Sequence, residues 1–222
     1  MPKKNLLKTT VIISIISLVI VIFLSSFSQL AFNKDYYLAK QSKHGVYDVL
    51  GRNETINMTE NTINFLQGKE DLNYFTENER AHMLDVKTVF NNIFSVFYPA
   101  LFIFILSFIM IIYLDKTNAL HNISKVFFYA GGISIILLII LFFASINFSG
   151  LFSGFHKLFF PQGNYLFPSD SLLLKLFPEA FFKSFAMTIL IYSAIKAVIL
   201  LAIGFMPPGI SRKKKEKLIK QT

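Results

Sequence analysis

Apolar residues run together in four blocks, at about 9–32, 92–114, 125–146 and 184–206, each carrying few or no charges. A run of roughly 20 such residues in helical form matches the hydrocarbon thickness of a bilayer, so each block predicts a membrane-crossing helix. Between them lie a polar stretch (33–91), a short turn (115–124) and a second long connection (147–183). The fourth block stops at Pro207-Pro208-Gly209, which opens a basic tail (207–222). The pattern predicts an all-α membrane protein of four transmembrane helices with two long loops, organised as one integral membrane domain over residues 1–222. Lys3, Lys4 and Lys8 ahead of the first block resemble the start of a signal peptide. The block is longer than the 7–15 residues of a signal core, roughly, and lacks a small-x-small cleavage site, so it is read as an uncleaved span.

Within the first long loop the polar pattern predicts an irregular first half and a short helix at 61–66 ended by Gly68. Thr76 and Glu79 then form a capping box, each side chain able to satisfy the other's backbone N–H. No Pro or Gly follows until Pro99, which predicts one long helix running from about 77 into the second span. Pro99 is expected to bend that helix unless neighbouring groups satisfy the carbonyl it frees. Gly131 and Gly132 offer a place for close helix approach in the third span. The second loop is rich in Phe, Pro and Gly, a composition suited to the headgroup zone rather than to free water. Ser169 and Asp170 are placed to cap a short helix that Pro178 ends.

Composition agrees with this picture. Hydrophobic residues make up 54% of the 222 and charged residues only 16%, well below the quarter or so usual for soluble domains. The net charge of +9 is explained by its distribution rather than by nucleic acid, which is not expected as a partner. The N-terminus, central turn and tail hold 11 Lys and Arg against 2 acids, whereas the two long loops hold 10 against 11. That bias predicts a cytoplasmic-membrane protein with both termini in the cytoplasm and both loops outside. The absence of cysteine excludes a thiol nucleophile, a cysteine zinc site, disulfides and a lipidated Cys on this chain.

Candidate chemistry sits where the long helix begins. Glu79, His82 and Asp85 are spaced i, i+3, i+6, placing an imidazole between two carboxylates on one face. A histidine oriented by a carboxylate is what a general base needs, although acids at a helix start also serve the macrodipole. His156 in the Phe-rich loop has apolar neighbours, which favour its neutral form. The predicted topology carries His82 and His156 to the same side and depth. His44 and His121 lack an acidic partner at helical spacing and read as structural. His82, Asp85 and His156 could in principle hold zinc, but there is no His-Glu-x-x-His and no cofactor is expected. Lys196 lies near mid-span in the fourth block, where a charge is either functional, partnered or snorkelling.

Two stretches together carry a resemblance: Phe-Thr-Glu-Asn-Glu-Arg-Ala-His-Met-Leu-Asp-Val-Lys at 75–87 and Gly-Phe-His-Lys-Leu-Phe-Phe at 154–160. With Asn164-Tyr165-Leu166-Phe167-Pro168-Ser169-Asp170 and Leu176-Phe177-Pro178, the chain resembles the bacterial lipoprotein intramolecular transacylase family over essentially its whole length. It departs at Tyr165, where Trp is expected. The resemblance implies an acyltransferase that moves the sn-2 acyl chain of a lipoprotein's diacylglyceryl-Cys to the α-amine of that cysteine. It implies diacylglyceryl lipoproteins and membrane lipid as partners and a site at the outer face. His82, oriented by Asp85 or Glu79, then deprotonates the amine, and His156 serves the leaving glycerol oxygen or the oxyanion; the two roles could be exchanged. Lys87 or Lys157 assists electrostatically, and Asp170 holds the loop. Phe155, Phe159, Phe160 and Tyr165 line the acyl groove. A metal-dependent membrane hydrolase and a non-catalytic scaffold are the alternatives from other classes.

Overall fold

The structure is a computed structural model and describes residues 3–205. The expected helix stop at Pro207-Pro208-Gly209 and the basic tail lie outside the described residues. Those described form helices and turns, with no strand among them. In order they are α1 (Lys3–Ala31), α2 (Lys34–Lys43), α3 (Val46–Leu50), α4 (Arg52–Leu66), α5 (Glu77–Leu114) and α6 (Ala119–Ala144). A 3₁₀ turn (Ser145–Asn147), α7 (Phe148–Phe159), α8 (Leu172–Leu176) and α9 (Glu179–Phe205) follow. Among the described residues four helical stretches are long and apolar enough to cross a membrane: α1, α5, α6 continued into α7, and α9. The 38 residues of α5 extend about 57 Å, nearly twice a bilayer's hydrocarbon core. Its apolar run begins near residue 92, so the turns from Glu77 to Asn91 lie outside the span. The helix continues through Pro99.

The described chain divides into two compact units. The first takes in the described parts of Met1–Phe23, Phe97–Ile139 and Tyr192–Thr222. Leu18, Ile22, Ile111, Val126 and Ala130 are its buried core. Helices α6 and α9 come together at glycines. A Cβ on Gly131 would lie 2.8 Å from the Ala197 carbonyl oxygen, and one on Gly204 would lie 2.4 Å from the Phe128 nitrogen. Gly131 is thus the contact the sequence suggested; Gly204 is a second, unanticipated one. Gly131→Leu and Gly204→Leu therefore force backbone apart, at a cost of about 3 kcal/mol each. We expect a clear fall in thermal midpoint for both in detergent. Gly132→Ala, whose Cβ would meet only the flexible end of Leu201 at 3.8 Å, should leave it in place.

The second unit comprises Leu24–Val96 and Ile140–Ile191. Its first loop is helical almost throughout, which corrects the irregular first half expected there. Asn33 caps α2 by accepting from the Tyr36 N–H at 3.0 Å. Gly45 and Gly51, at φ 74° and 80°, supply the left-handed residues that separate α2, α3 and α4. Half of the buried residues of α4 are polar: Thr55, Thr59, Asn61 and Thr62 face inward beside Met58, Ile63, Phe65 and Leu66. Thr55 and Thr62 donate to carbonyls one turn back, and Thr59 donates to Gln41 Oε1 at 2.9 Å. Gln41 Nε2 in turn donates to the Leu176 carbonyl at 3.1 Å. Asn61 Nδ2 donates to the Asp71 carbonyl at 2.9 Å, so each buried polar side chain of α4 has its partner inside the unit. The hydrophobic core of the unit combines Tyr37, Met58, Phe65 and Phe75 with Leu173, Leu176, Phe177 and Phe181.

Candidate active site

The head of α5 is held as the capping box predicts. Glu79 Oε2 accepts from the Thr76 N–H and hydroxyl, both at 2.9 Å, and Thr76 Oγ1 receives the Glu79 N–H at 3.4 Å. Its other oxygen does something the sequence did not suggest. Glu79 Oε1 accepts from the Ser171 hydroxyl at 2.5 Å and from the Leu173 N–H at 2.9 Å. Ser171, rather than Ser169 or Asp170, is the N-cap of α8, and the acceptor that the helix start needs comes from α5. Burial pushes the Glu79 carboxyl upward in pKa, but these donors outweigh it and hold the group below its usual range.

Asp85 closes a second tie between the same helix and the Phe-rich loop. Its Oδ2 receives Gln162 Nε2 and Asn164 Nδ2, each at 2.6 Å. Gly163, at φ 77°, lets the backbone turn between them. Both carboxylates are thus engaged elsewhere, and neither hydrogen-bonds the His82 ring. This corrects the expectation that one of them orients it directly.

His82 is 6% exposed, packed edge-on against Phe160 and Phe167 at centroid distances of 4.7 and 5.5 Å. The His156 ring lies nearly parallel to it, 5.9 Å away and inclined by 21°. The two residues singled out from sequence therefore stand together. His156 Nδ1 lies 2.8 Å from the Phe152 carbonyl oxygen, one turn back on α7. A carbonyl only accepts, so this nitrogen carries the proton and a neutral His156 has its lone pair on Nε2. Burial, together with the facing His156, drives the His82 pKa down to about 4, against a smaller opposing pull from Asn164 and Asp85. At neutral pH His82 is therefore an uncharged imidazole able to take a proton.

The other candidates separate. Tyr165 lies beside the pair, its ring 5.0 Å from that of His156. Phe155 and Phe159 pack on one another at 4.7 Å and remain 40% and 48% exposed, whereas Phe160 is 2% exposed and belongs to the wall behind His82. Lys87 is drawn away, its Nζ 4.5 Å over the Phe65 ring. Lys157 and Asp170 are exposed. His44 joins Ser184 through a 2.7 Å hydrogen bond, tying α2 to α9. Among the described residues no group of three or more His, Cys, Asp or Glu is arranged to hold a metal ion. Sequence reasoning missed Ser171 and Gln162. Asn164 stood inside a quoted motif without a role, and its only local signal is the preceding glycine.

Two comparisons with known proteins return matches. Residues 12–182 match the family model described as lipoprotein intramolecular transacylase Lit. Among solved structures, the chain is similar to an in meso structure of the membrane integral lipoprotein intramolecular transacylase Lit from Bacillus cereus. That likeness has a TM-score of 0.79 at 23% identity, covering 90% of this chain and 94% of that one. Two structures of that Bacillus cereus protein with one histidine replaced, by arginine in one and alanine in the other, give TM-scores of 0.75 at 22% identity. Each covers 96% of this chain, and 96% and 97% of the other. These likenesses establish the all-helical, membrane-integral fold. No curated protein matches the chain.

Proposed function

The chain belongs to the lipoprotein intramolecular transacylase family and is a membrane acyltransferase, and from that premise we propose that it rearranges a diacylglyceryl-modified lipoprotein, moving the sn-2 acyl chain from glycerol to the α-amine of the N-terminal cysteine. The observation that carries this reading is the facing pair of imidazoles, with His82 kept neutral. Donor ester and acceptor amine belong to one substrate molecule. The enzyme's task is then to fold that molecule until amine meets carbonyl, an orientation effect capable of removing several kcal/mol of barrier. Nothing in such a transfer requires an enzyme nucleophile, in keeping with a chain that has no cysteine.

His82 accepts the proton of the attacking amine as the new C–N bond forms at the ester carbonyl. With an ordinary pKa near 8 the α-amine is partly neutral at physiological pH, and its proton turns acidic as the C–N bond forms, so it can pass to a neutral imidazole. The tetrahedral oxyanion then collapses, the carbon–oxygen bond to glycerol breaks, and His156, entering the step as the imidazolium with a second proton on Nε2, gives that proton to the departing oxygen. One ring gains the proton that the other loses, so the pair ends with its total unchanged and is reset by exchange with water. Phe155, Phe159 and Tyr165 supply apolar surface for the acyl chains, and the buried Phe160 keeps water from His82. The charge bias of the loops supports a site at the outer face of the bacterial cytoplasmic membrane, with both termini in the cytoplasm.

Mass spectrometry of lipoprotein N-terminal peptides, from a host making only diacylglyceryl lipoproteins, tests the reading directly. With this chain expressed, we expect one acyl group to move from glycerol to the N-terminus at unchanged total lipid mass. Unchanged lipopeptides in the presence of well-expressed, membrane-inserted protein would overturn it.

A further inference from the structure

Two buried polar atoms at the site have no hydrogen-bond partner, and they are complementary: His82 Nδ1 and Asn164 Oδ1. Asn164 faces the ring closely enough for its side chain to act on it, although the contact falls short of a full hydrogen bond. The other edge of the same amide is already committed, with Nδ2 donating to Asp85 Oδ2 at 2.6 Å. A carboxylate only accepts, so the amide has to turn its NH₂ edge toward Asp85 and its oxygen the other way. An amide oxygen likewise only accepts. We propose that Asn164 is a positioning residue which, held by Asp85, fixes His82 in the tautomer with the proton on Nδ1 and the lone pair on Nε2. Asp85 then governs the ring at one remove, by deciding which edge of an amide meets it. The consequence for transfer rests on the reading of His82 as the base: both rings would present Nε2 to substrate, His156 through the Phe152 carbonyl and His82 through Asn164. A ring in the opposite tautomer would aim an N–H at the amine and could not receive its proton.

The test is made on the full-length protein in detergent micelles, labelled with ¹⁵N in the imidazole rings. The chain has four histidines, so single His→Gln variants assign the signals. In the unsubstituted protein above pH 6, His82 should show a protonated Nδ1 and an unprotonated Nε2. Asn164→Ala should move His82 toward the Nε2–H form that free histidine prefers. Asp85→Asn should give a mixture, because an amide at 85 no longer dictates the orientation of Asn164. Gln162→Ala removes the other tie between the loop and Asp85 but not the contact with the ring, and should leave the tautomer as it was. A His82 that carries its proton on Nε2 from the outset, or one unaffected by both Asn164→Ala and Asp85→Asn, overturns the proposal. Transfer measured on the same samples separates it from the base assignment. A lower kcat at little-changed KM is expected wherever the tautomer moves. If the tautomer moves and kcat does not, the relay stands and the base assignment falls.

Discussion

Alanine in place of either His82 or His156 is expected to lower acyl transfer by about 10²–10⁴-fold while the protein remains in the membrane. The cause is where the rings sit. They face each other at 5.9 Å, one nearly closed off from solvent, and neither carries a hydrogen bond that ties separate elements together. Removing them leaves the four apolar spans untouched, so insertion should survive. His82→Ala does leave a space beside Phe160 and Phe167, and His82→Gln, which fills more of it, controls for local collapse. Purified enzyme assayed for the N-acyl lyso product gives the readout. If the two rings serve one concerted sequence of proton transfers, the double variant should be scarcely worse than either single one. Near-normal turnover in either single variant would show that ring's assignment to be wrong.

Glu79→Ala carries the second large effect, on stability. The residue is 3% exposed, and its two oxygens accept from Thr76, Ser171 and Leu173, so it pins the start of α5 and the start of α8 together. Truncation strands several donors at once, and a loss of about 3 kcal/mol or more follows. The thermal midpoint in detergent should drop markedly. Glu79→Gln, which keeps one acceptor oxygen, should fall between. The effect has a definite pH direction. Because the folded-state pKa lies below that of an unfolded glutamate, the stabilisation is complete above the unfolded value and is lost as pH falls through the folded one. The unsubstituted protein should therefore lose stability in acid more steeply than Glu79→Ala. Parallel acid profiles for the two would remove Glu79 from this role.

How far the sequence revealed these features depended on what each one is made of. The spans and the head of α5 were legible because long apolar runs and a Thr-x-x-Glu cap are local patterns, and local physics builds them. The pairing of His82 with His156 was legible only through predicted topology and the resemblance, since 73 intervening residues separate them. Most of the first loop's helical content was hidden because α4 interleaves buried threonine and asparagine with its apolar residues, so only its last turns, 61–66, were marked. Glu79 was given its capping partner Thr76 correctly, but it and Asp85, noticed for the face they share with His82, do not hydrogen-bond that ring. Their remaining donors come from 162–173, a stretch whose path no spacing along α5 could disclose. Lys87 was misplaced in the same way: adjacent in sequence to the site, it turns instead to the ring of Phe65.

The polar interior of α4 bears on how this part of the molecule responds to temperature. Contacts between hydrocarbon side chains weaken on cooling, because exposing apolar surface raises heat capacity. Exposing hydroxyl and amide groups lowers it. Where Thr59, Gln41 and the Leu176 carbonyl meet, unfolding releases polar surface from a junction at which an aliphatic stripe would ordinarily stand. That junction, beside the unit's hydrophobic core, is thus a contact whose strength does not fade in the cold, next to a lipid phase that itself stiffens there.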